Sequence, residues 1–136
     1  MEKSKSLLIL YFLIISLLFA ACGRRTIKTS CGDFKIGNPF FQPVQTEAGM
    51  HNMLLLPISR KDGDMLSVDD IRCIKQSPPY FGSTWDSGGG YDLRYPWYAR
   101  SKNGEMVLVF GGAHVGDPVL YWGENDPIKM KIDESR

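Results

Sequence analysis

The hydrophobic positions of the chain form two patterns, one continuous and one alternating. Leu7 to Ala21 is an uncharged apolar run of 15 residues, and Lys3 and Lys5 precede it. Further along, short segments alternate between apolar and polar residues, as β-strands buried on one face do. The pattern therefore predicts an apolar N-terminal segment followed by a β-rich domain.

The clearest predicted hairpin runs from Trp97 to Phe110. Asn103-Gly104 is a strong turn signal, because a type I′ turn needs positive φ at both central residues. Pairing outward from this turn sets Arg100 opposite Val107 and Trp97 opposite Phe110. In this register the core face holds Trp97, Ala99, Met106, Leu108 and Phe110. Val107 and Val109 fall on the other, mixed face, and a slip of one residue would exchange the two faces.

Shorter signals predict further strands. Val119 to Trp122 is short and apolar, and Ile128 to Ile132 alternates with period two. Met53 to Ser59 is another strand, which Pro57 favours at a sheet edge because proline has no backbone N–H. Phe34 to Val44 is expected to be extended, with Pro39 and Pro43 interrupting it.

One short helix is predicted between these strands. Ser67-Val-Asp-Asp70 has the pattern of a capping box, so the helix should run from Val68 to about Gln76 and end before Pro78-Pro79. The fold class that we expect is α+β and β-rich. It consists of a small antiparallel sheet of about five or six strands with one short helix.

The apolar run itself is typical of a signal peptide. As a helix it would span about 22 Å, which is short against a hydrocarbon core of about 30 Å. A positive start, an apolar run and small residues at its end match an export signal. The alternative is a short membrane anchor.

The residues that end the run indicate which kind of signal this is. Phe19-Ala20-Ala21-Cys22 resembles a bacterial lipobox, in which small residues precede an obligatory cysteine. The resemblance implies that residues 1–21 are a lipoprotein signal peptide. Cys22 would then become the mature N-terminus, with a diacylglycerol thioether and an amide-linked acyl chain such as palmitate. The alternative reading of Cys22 is a third cysteine of the fold.

The same resemblance gives a location and a domain organisation. Gly23 stands where an inner-membrane retention signal would have Asp, so we expect a lipid anchor in the outer membrane with the domain facing the periplasm. The alternative is the periplasmic face of the inner membrane. Residues 22–30 are expected to be a lipidated polar tether, 31–132 a single globular domain and 133–136 a polar tail.

The two remaining cysteines agree with export. Cys31 and Cys73 form an even pair, which in an oxidising compartment is read as a disulfide. Closing such a loop stabilises a fold by about 4 kcal/mol in the chain-entropy model. The alternative is two buried free thiols.

Charge narrows the classes of partner. The net charge is +1, and removal of the leader leaves 14 basic and 14 acidic side chains. Near-neutrality argues against nucleic acid, which requires a basic face. No metal and no cofactor are expected, since the acidic segment from Asp62 to Asp70 lacks the ligand spacing of a calcium loop and the two histidines lack zinc-finger spacing.

The segment from Tyr80 to Tyr98 holds seven aromatic residues and the run Ser87-Gly-Gly-Gly90. Tyr, Trp and Arg near a pliable loop are the composition of protein-binding hot spots. The alternative is that these rings fill the core. The predicted partner-binding residues are Trp85, Tyr91, Arg94 and Tyr98.

No catalytic motif is found, so we expect that the protein is not an enzyme. Gly111 to Pro118 is glycine-rich and contains His114, yet it lacks the phosphate-loop pattern, and no Gly-x-Ser-x-Gly is present. The competing hypothesis is a small envelope enzyme that uses Asp86, Asp92 and His114, with Asp117 beside the histidine. A structural accessory of an envelope assembly is a third class.

In size and composition the mature domain resembles the small periplasmic lipoproteins that act as immunity proteins against toxins. A second resemblance is to membrane-bound lysozyme inhibitors and rests on Ser87-Gly-Gly-Gly-Tyr91 followed by Trp97. No functional residue is carried over from either. Together they imply a lipid-anchored binding protein, an immunity protein or inhibitor that neutralises a toxin or hydrolase in the periplasm.

Overall fold

One antiparallel sheet holds every strand of the computed structural model, which describes residues 24–83, 90–100, 104–113 and 117–136. The one helix among these described residues, α1 (Val68–Gln76), lies between the fourth and fifth strands. The strands in chain order are β1 (Arg25–Thr29), β2 (Gly32–Ile36), β3 (Phe40–Thr46), β4 (Gly49–Arg60), β5 (Tyr80–Ser83), β6 (Gly90–Arg100), β7 (Met106–Ala113), β8 (Pro118–Tyr121) and β9 (Ile128–Lys129).

The expected fold class is confirmed, but the expected number of strands is wrong. The described residues form a nine-stranded sheet in the order β1-β2-β4-β7-β6-β5-β8-β9, with β3 paired to β4 as well. Of the additional strands, β1 and β5 were not predicted, and the extended segment expected over Phe34 to Val44 is divided between two strands, β2 and β3. Backbone pairing with a long neighbour, β4, holds β3 in place despite Pro43.

Most of the segment that we expected to be a polar tether, residues 22–30, is part of the sheet. Arg25–Thr29 pairs with β2 along its whole length, from Arg25 opposite Ile36 to Thr29 opposite Gly32. Ile27 is the one residue of β1 that is buried in the main core, where it lies opposite Phe34, and it determines which face of β1 points inward. One apolar residue among polar neighbours gave no alternation that could be recognised in the sequence.

Pro57 lies inside the sheet, which corrects its predicted place on an edge strand. On one side of β4, Pro57 is paired with Val107 of β7. On the other side its carbonyl accepts a hydrogen bond of 3.0 Å from the backbone N–H of Gly37, between β2 and β3. In an extended strand the N–H and C=O of one residue point to the same side. The side of Pro57 that lacks an N–H therefore faces the break between β2 and β3. No regular strand pairing at this point requires a hydrogen bond from Pro57.

The β6–β7 hairpin is present, but its predicted register is wrong by one residue. Arg100 lies opposite Met106, and Ala99 lies opposite Val107. The connection thus runs from residue 101 to 105 and is longer than a two-residue turn. Gly104 has a φ of +80°, as the turn signal requires, whereas Asn103 lies outside the described residues.

A second irregularity lies farther along the same hairpin. Leu93, not Trp97, lies opposite Phe110, and Tyr98 lies opposite Leu108. Between these pairs β6 advances five residues while β7 advances two, so β6 carries extra residues around Pro96. A proline cannot donate to a ladder, and bulges are where sheets accommodate it.

Both faces of the central strands are buried. The main core on the inner face includes Leu54, Leu56, Leu108 and Phe110, so the predicted core positions of β7 are confirmed. The opposite face, predicted to be mixed, instead carries a second apolar cluster, which consists of Phe40, Met53, Leu55, Val107 and Val109. Strands buried on both faces have continuous apolar sequences, as Met53–Leu56 and Met106–Phe110 do.

The predicted helix and disulfide are both confirmed. Ser67 caps α1, with its side chain accepting from the Asp70 backbone while the Asp70 carboxylate accepts from the Ser67 backbone. Cys31, in the β1–β2 turn, is bonded to Cys73 of α1. The bond joins the helix to the first strand pair, and Ile74 beside it is fully buried.

The two ends of the sheet approach each other. The Asn125 side-chain amide, in the turn between β8 and β9, donates to the Lys28 carbonyl of β1 at 2.6 Å and to the Trp122 carbonyl at 3.0 Å. Farther on, the Asp133 backbone N–H donates to the Pro39 carbonyl at 2.8 Å. The last residues of the chain are thereby held against the first three strands. Within the described ranges, no helix has the length and apolar character to cross a membrane.

Candidate functional site

The four predicted partner-binding residues do not form one surface. Trp85 lies outside the described residues, and so does the side chain of Arg94. Tyr98 is 45% exposed, whereas Tyr91 is only 6% exposed and belongs to the main core. The expectation that Tyr91 lies on a contact surface is therefore wrong.

Strand alternation explains the burial of Tyr91. It lies opposite Phe81 on one side and Gly112 on the other, and Phe81 faces the core. Its ring contacts the edge of Phe41, with centroids 6.1 Å apart. Burial raises the pKa of the Tyr91 hydroxyl above its ordinary value. This ring contributes to the apolar interior.

The residue before Phe81 instead points outward and forms an exposed aromatic pair. Tyr80 of β5 lies directly opposite Tyr121 of β8, and the two rings stack with centroids 4.9 Å apart and planes within 10°. Tyr80 remains 48% exposed. On its other side Tyr80 is opposite Asp92 of β6, which is exposed. We call Tyr80, Tyr121 and Asp92 the tyrosine patch.

Gly82 gives the patch its shape. It lies two residues from Tyr80 on the same face of β5, and it is opposite Val119 of β8. A Cβ atom at Gly82 would lie 2.8 Å from Cε2 of Tyr121. The absence of a side chain therefore allows the Tyr121 ring to lean over β5.

The chemistry of the tyrosine patch suits a cationic or planar group. Aromatic faces attract ammonium and guanidinium groups, and Asp92 adds a carboxylate one strand away. The two hydroxyls can donate and accept hydrogen bonds. Sequence reasoning missed Tyr121 because only the pairing of β5 with β8 brings it to Tyr80, 41 residues earlier in the chain.

Tyr98 belongs to a separate exposed area of β6. Its ring contacts Trp97 edge to face at 4.7 Å, and Trp97 packs on the main core. Arg100, two residues further along β6, donates to Sδ of Met65 at 3.0 Å and to the Gly104 carbonyl at 3.0 Å. These contacts fix Tyr98 and Arg100 as a second polar and aromatic surface, at the far end of β6 from the tyrosine patch.

The residues of the enzyme hypothesis are not brought together by what the structure describes. His114 and Asp86 lie outside the described residues, and Asp92 and Asp117 are exposed. Asp70, in the acidic segment considered for calcium, is used by the capping box and by an ion pair of 3.0 Å with Arg60. Across the described ranges, no three of His, Cys, Asp and Glu are grouped so as to hold a metal ion.

A basic groove lies where β1 approaches β9. Its volume is about 530 Å³, and Ile36 and Met130 are buried at its base. The polar residues that line it are Arg24, Arg25, Asn38, Lys129 and Lys131. Four of these five are cations, and none of the described residues that line the groove is a carboxylate.

The carboxylate that pairs with Arg24 of the groove is also paired with a second arginine. Glu105 accepts from Arg24 at 2.9 Å and also pairs with Arg136, which in turn lies 3.3 Å from Asp133. Burial, and to a lesser degree the positive charge of Arg24, lower the pKa of the Arg136 guanidinium. Two arginines thus share one carboxylate, and the groove beside them remains positive.

Comparison of the chain with protein-family models, with curated proteins and with solved structures finds no match.

Proposed function

We propose that this protein is a lipid-anchored, periplasm-facing binding protein of the bacterial envelope, and that its partner is another protein. The anchor is Cys22, at the end of the lipobox-like Phe19-Ala20-Ala21-Cys22. The disulfide between Cys31 and Cys73 supports an oxidising compartment, where such bonds persist. Gly23 supports the outer membrane, as opposed to the inner membrane, as the site of the anchor.

The observation that carries partner binding is the tyrosine patch. Tyr80, which is half exposed, stacks on Tyr121 beside Asp92, and the three residues form a pre-ordered surface because their backbones are fixed in three neighbouring strands. Rigid aromatic anchors lose little conformational freedom on binding, which is why they dominate protein interfaces. The carboxylate favours a partner that presents an arginine or lysine to the rings.

Trp85 is close in sequence to two strands that contribute to the tyrosine patch. Residues 84–89 connect β5, which carries Tyr80, to β6, which carries Asp92. We include Trp85 in the proposed partner surface for that reason, and Arg94 because it follows Asp92 by two residues. Tyr98 would contribute only to a partner large enough to reach the opposite end of β6.

An immunity protein or inhibitor is the form of binder that this arrangement fits best. A short link between the acyl chains and β1 holds the domain at the membrane, where an incoming toxin or hydrolase would act. Neutralisation by binding needs a complementary surface and does not need a catalytic group. No catalytic motif is found in the sequence.

The binding surface is tested by capture and affinity measurement. The chain is immobilised, periplasmic proteins of its own organism are passed over it, and retained proteins are identified and purified. Tyr80→Ala and Asp92→Asn should each weaken the affinity at least tenfold, since central aromatic and charged anchors carry most of an interface's energy. Met50→Ala is the matched control, because Met50 is 61% exposed on the β3–β4 hairpin.

The affinity measurements test the binding surface, and a separate measurement tests the anchor. Equal affinity of the Tyr80→Ala, Asp92→Asn and Met50→Ala variants would remove the tyrosine patch from the binding surface. Mass spectrometry of the protein from membranes tests the anchor independently. An acylated Cys22 is expected, and an unmodified thiol or an intact leader would overturn the proposed location.

A further inference from the structure

The basic groove lies close in the chain to the proposed acylated cysteine. Arg24, at its rim, follows Cys22 by two residues, and two residues span at most about 7 Å. The Debye length at physiological ionic strength is about 8 Å. An anchor at Cys22 would therefore hold part of the groove within the range at which an anionic membrane surface attracts cations.

Residues from the far end of the chain complete the groove. Lys129 and Lys131 come from β9 and the segment after it, more than 100 residues from Arg24 and Arg25. The backbone N–H of Met130, between them, donates to the Pro118 carbonyl at 3.0 Å, which fixes this segment beside β8. Four cations from two distant segments thus converge, and both lysines are exposed.

The charge of the groove is only partly neutralised by the described part of the protein. Glu105, which is paired with Arg24, also serves Arg136. No ion pair is found for Arg25, Lys129 or Lys131 in the described residues. Positive side chains that lack a carboxylate partner are available to phosphate groups, which arginine and lysine bind well.

We infer that the basic groove is the membrane-facing surface of the domain and binds the phosphate groups of anionic lipids. This inference rests on the proposed lipid anchor at Cys22. The acyl chains alone would hold the protein on the bilayer but would leave the domain free to rotate about a short link. Contact between the groove and lipid head groups would fix which surfaces face the periplasm.

The inference is tested with vesicles and an unacylated chain. The chain from residue 22 with Cys22→Ser contains every described strand, the helix and the disulfide. It is sedimented with vesicles of phosphatidylcholine alone or with 30% phosphatidylglycerol. We expect binding to the anionic vesicles only, and each basic residue at such a surface is worth about fivefold in partition.

Charge-matched variants test whether the groove itself is responsible. Lys129→Gln with Lys131→Gln should lower partition to the anionic vesicles roughly 25-fold. Lys61→Gln with Lys75→Gln removes the same charge from exposed positions outside the groove and should have a much smaller effect. Circular dichroism confirms that each variant is folded.

Several outcomes would overturn the inference. Equal loss in both double variants would show attraction by overall charge only. Binding that inorganic phosphate at millimolar concentration abolishes at constant ionic strength would identify a free-anion site instead of a membrane surface. An acylated Cys22 together with no preference for anionic vesicles would refute the groove and leave the anchor intact, whereas an unmodified Cys22 would refute the anchor whatever the vesicles show.

Discussion

Arg136 lies over the ring of Phe40, with its guanidinium carbon 4.5 Å from the ring centroid. The same guanidinium is paired with Glu105 and Asp133. Phe40 belongs to the second apolar cluster, on the outer face of β3 and β4. The residues that the sequence indicated as a free polar tail therefore cover part of an apolar surface.

The first prediction concerns this contact. Arg136→Ala should lower the free energy of unfolding by about 1 kcal/mol, because it removes a cation–π contact and an ion pair that are only partly exposed to solvent. Urea denaturation measures the change. Glu134→Ala, two residues away and exposed, is the control and should have no measurable effect. Equal stability of the two variants would mean that the tail does not protect the cluster.

The second prediction compares two glycines. Gly112 has a φ of +154°, and a Cβ atom there would lie 2.0 Å from the Gly90 carbonyl oxygen, which is backbone and cannot rotate away. Gly112→Ala should therefore cost about 3 kcal/mol or more. At Gly82 the three atoms nearest to an added Cβ all belong to the Tyr121 ring, which can turn aside, so Gly82→Ala should cost less than about 1 kcal/mol.

Gly82→Ala, the substitution with the smaller expected loss of stability, should also affect binding. If the Gly82→Ala variant moves the Tyr121 ring, the near-ultraviolet circular dichroism of the stacked tyrosines should change and partner affinity should fall with little loss of stability. A Gly112→Ala variant as stable as the wild type would contradict the close approach of β6 and β7. Unchanged affinity in a folded Gly82→Ala variant would count against the tyrosine patch.

The third prediction is a loss of stability at alkaline pH. Burial raises the pKa of Tyr91 in the folded protein above the value of about 10 in an unfolded chain. The folded state therefore holds this proton more tightly, and its contribution to stability is complete below pH 10 and is lost as the pH rises through the folded pKa. Unfolding free energies measured from pH 8 upward should fall more steeply for the wild type than for Tyr91→Phe.

A matched tyrosine separates this effect from general alkaline unfolding. Tyr98 is 45% exposed, and Tyr98→Phe is the matched substitution against which the slope of stability against pH in Tyr91→Phe is compared. The same slope in the wild type and both variants would show that the Tyr91 hydroxyl does not titrate differently on folding.

The fourth prediction concerns the disulfide. Cys31 and Cys73 are separated by 42 positions, and a loop of this length stabilises the folded state by about 4 kcal/mol in the chain-entropy model. Reduction, or Cys31→Ser with Cys73→Ser, should lower the free energy of unfolding by about that amount. Cys22→Ser is the control and should not change it. Equal stability under oxidising and reducing conditions would contradict the prediction.

Local signals in the sequence were read correctly. Ser67 and Asp70 satisfy each other's backbone groups within one turn, so the start of α1 did not depend on the rest of the fold. Cys31 and Cys73 were paired by elimination, and Gly104 was recognised as a turn residue from its neighbour Asn103. The helix start and the turn are each determined by a few neighbouring residues, and the disulfide follows from the number of cysteines.

Features that depend on distant partners were not predictable. The edge position of Pro57 was wrong because the gap that accommodates it is formed by Gly37 and its neighbours, 20 residues earlier. The predicted register of the hairpin was wrong because the connection between Arg100 and Met106 is longer than the turn signal implies. Tyr91 is buried and Tyr80 exposed because Tyr91 lies opposite Phe81 on the core face of the sheet, whereas Tyr80 lies opposite Asp92 on the other face.

Arg24 and Arg136 bind the same carboxylate, that of Glu105, although 112 positions separate them. A few residues of linker would therefore suffice to join these two points into a circularly permuted chain. A fluorescent fusion attached after residue 136 would emerge beside the proposed bilayer contact and crowd it. The exposed β3–β4 turn at Glu47 and Ala48 is a better insertion point for a reporter.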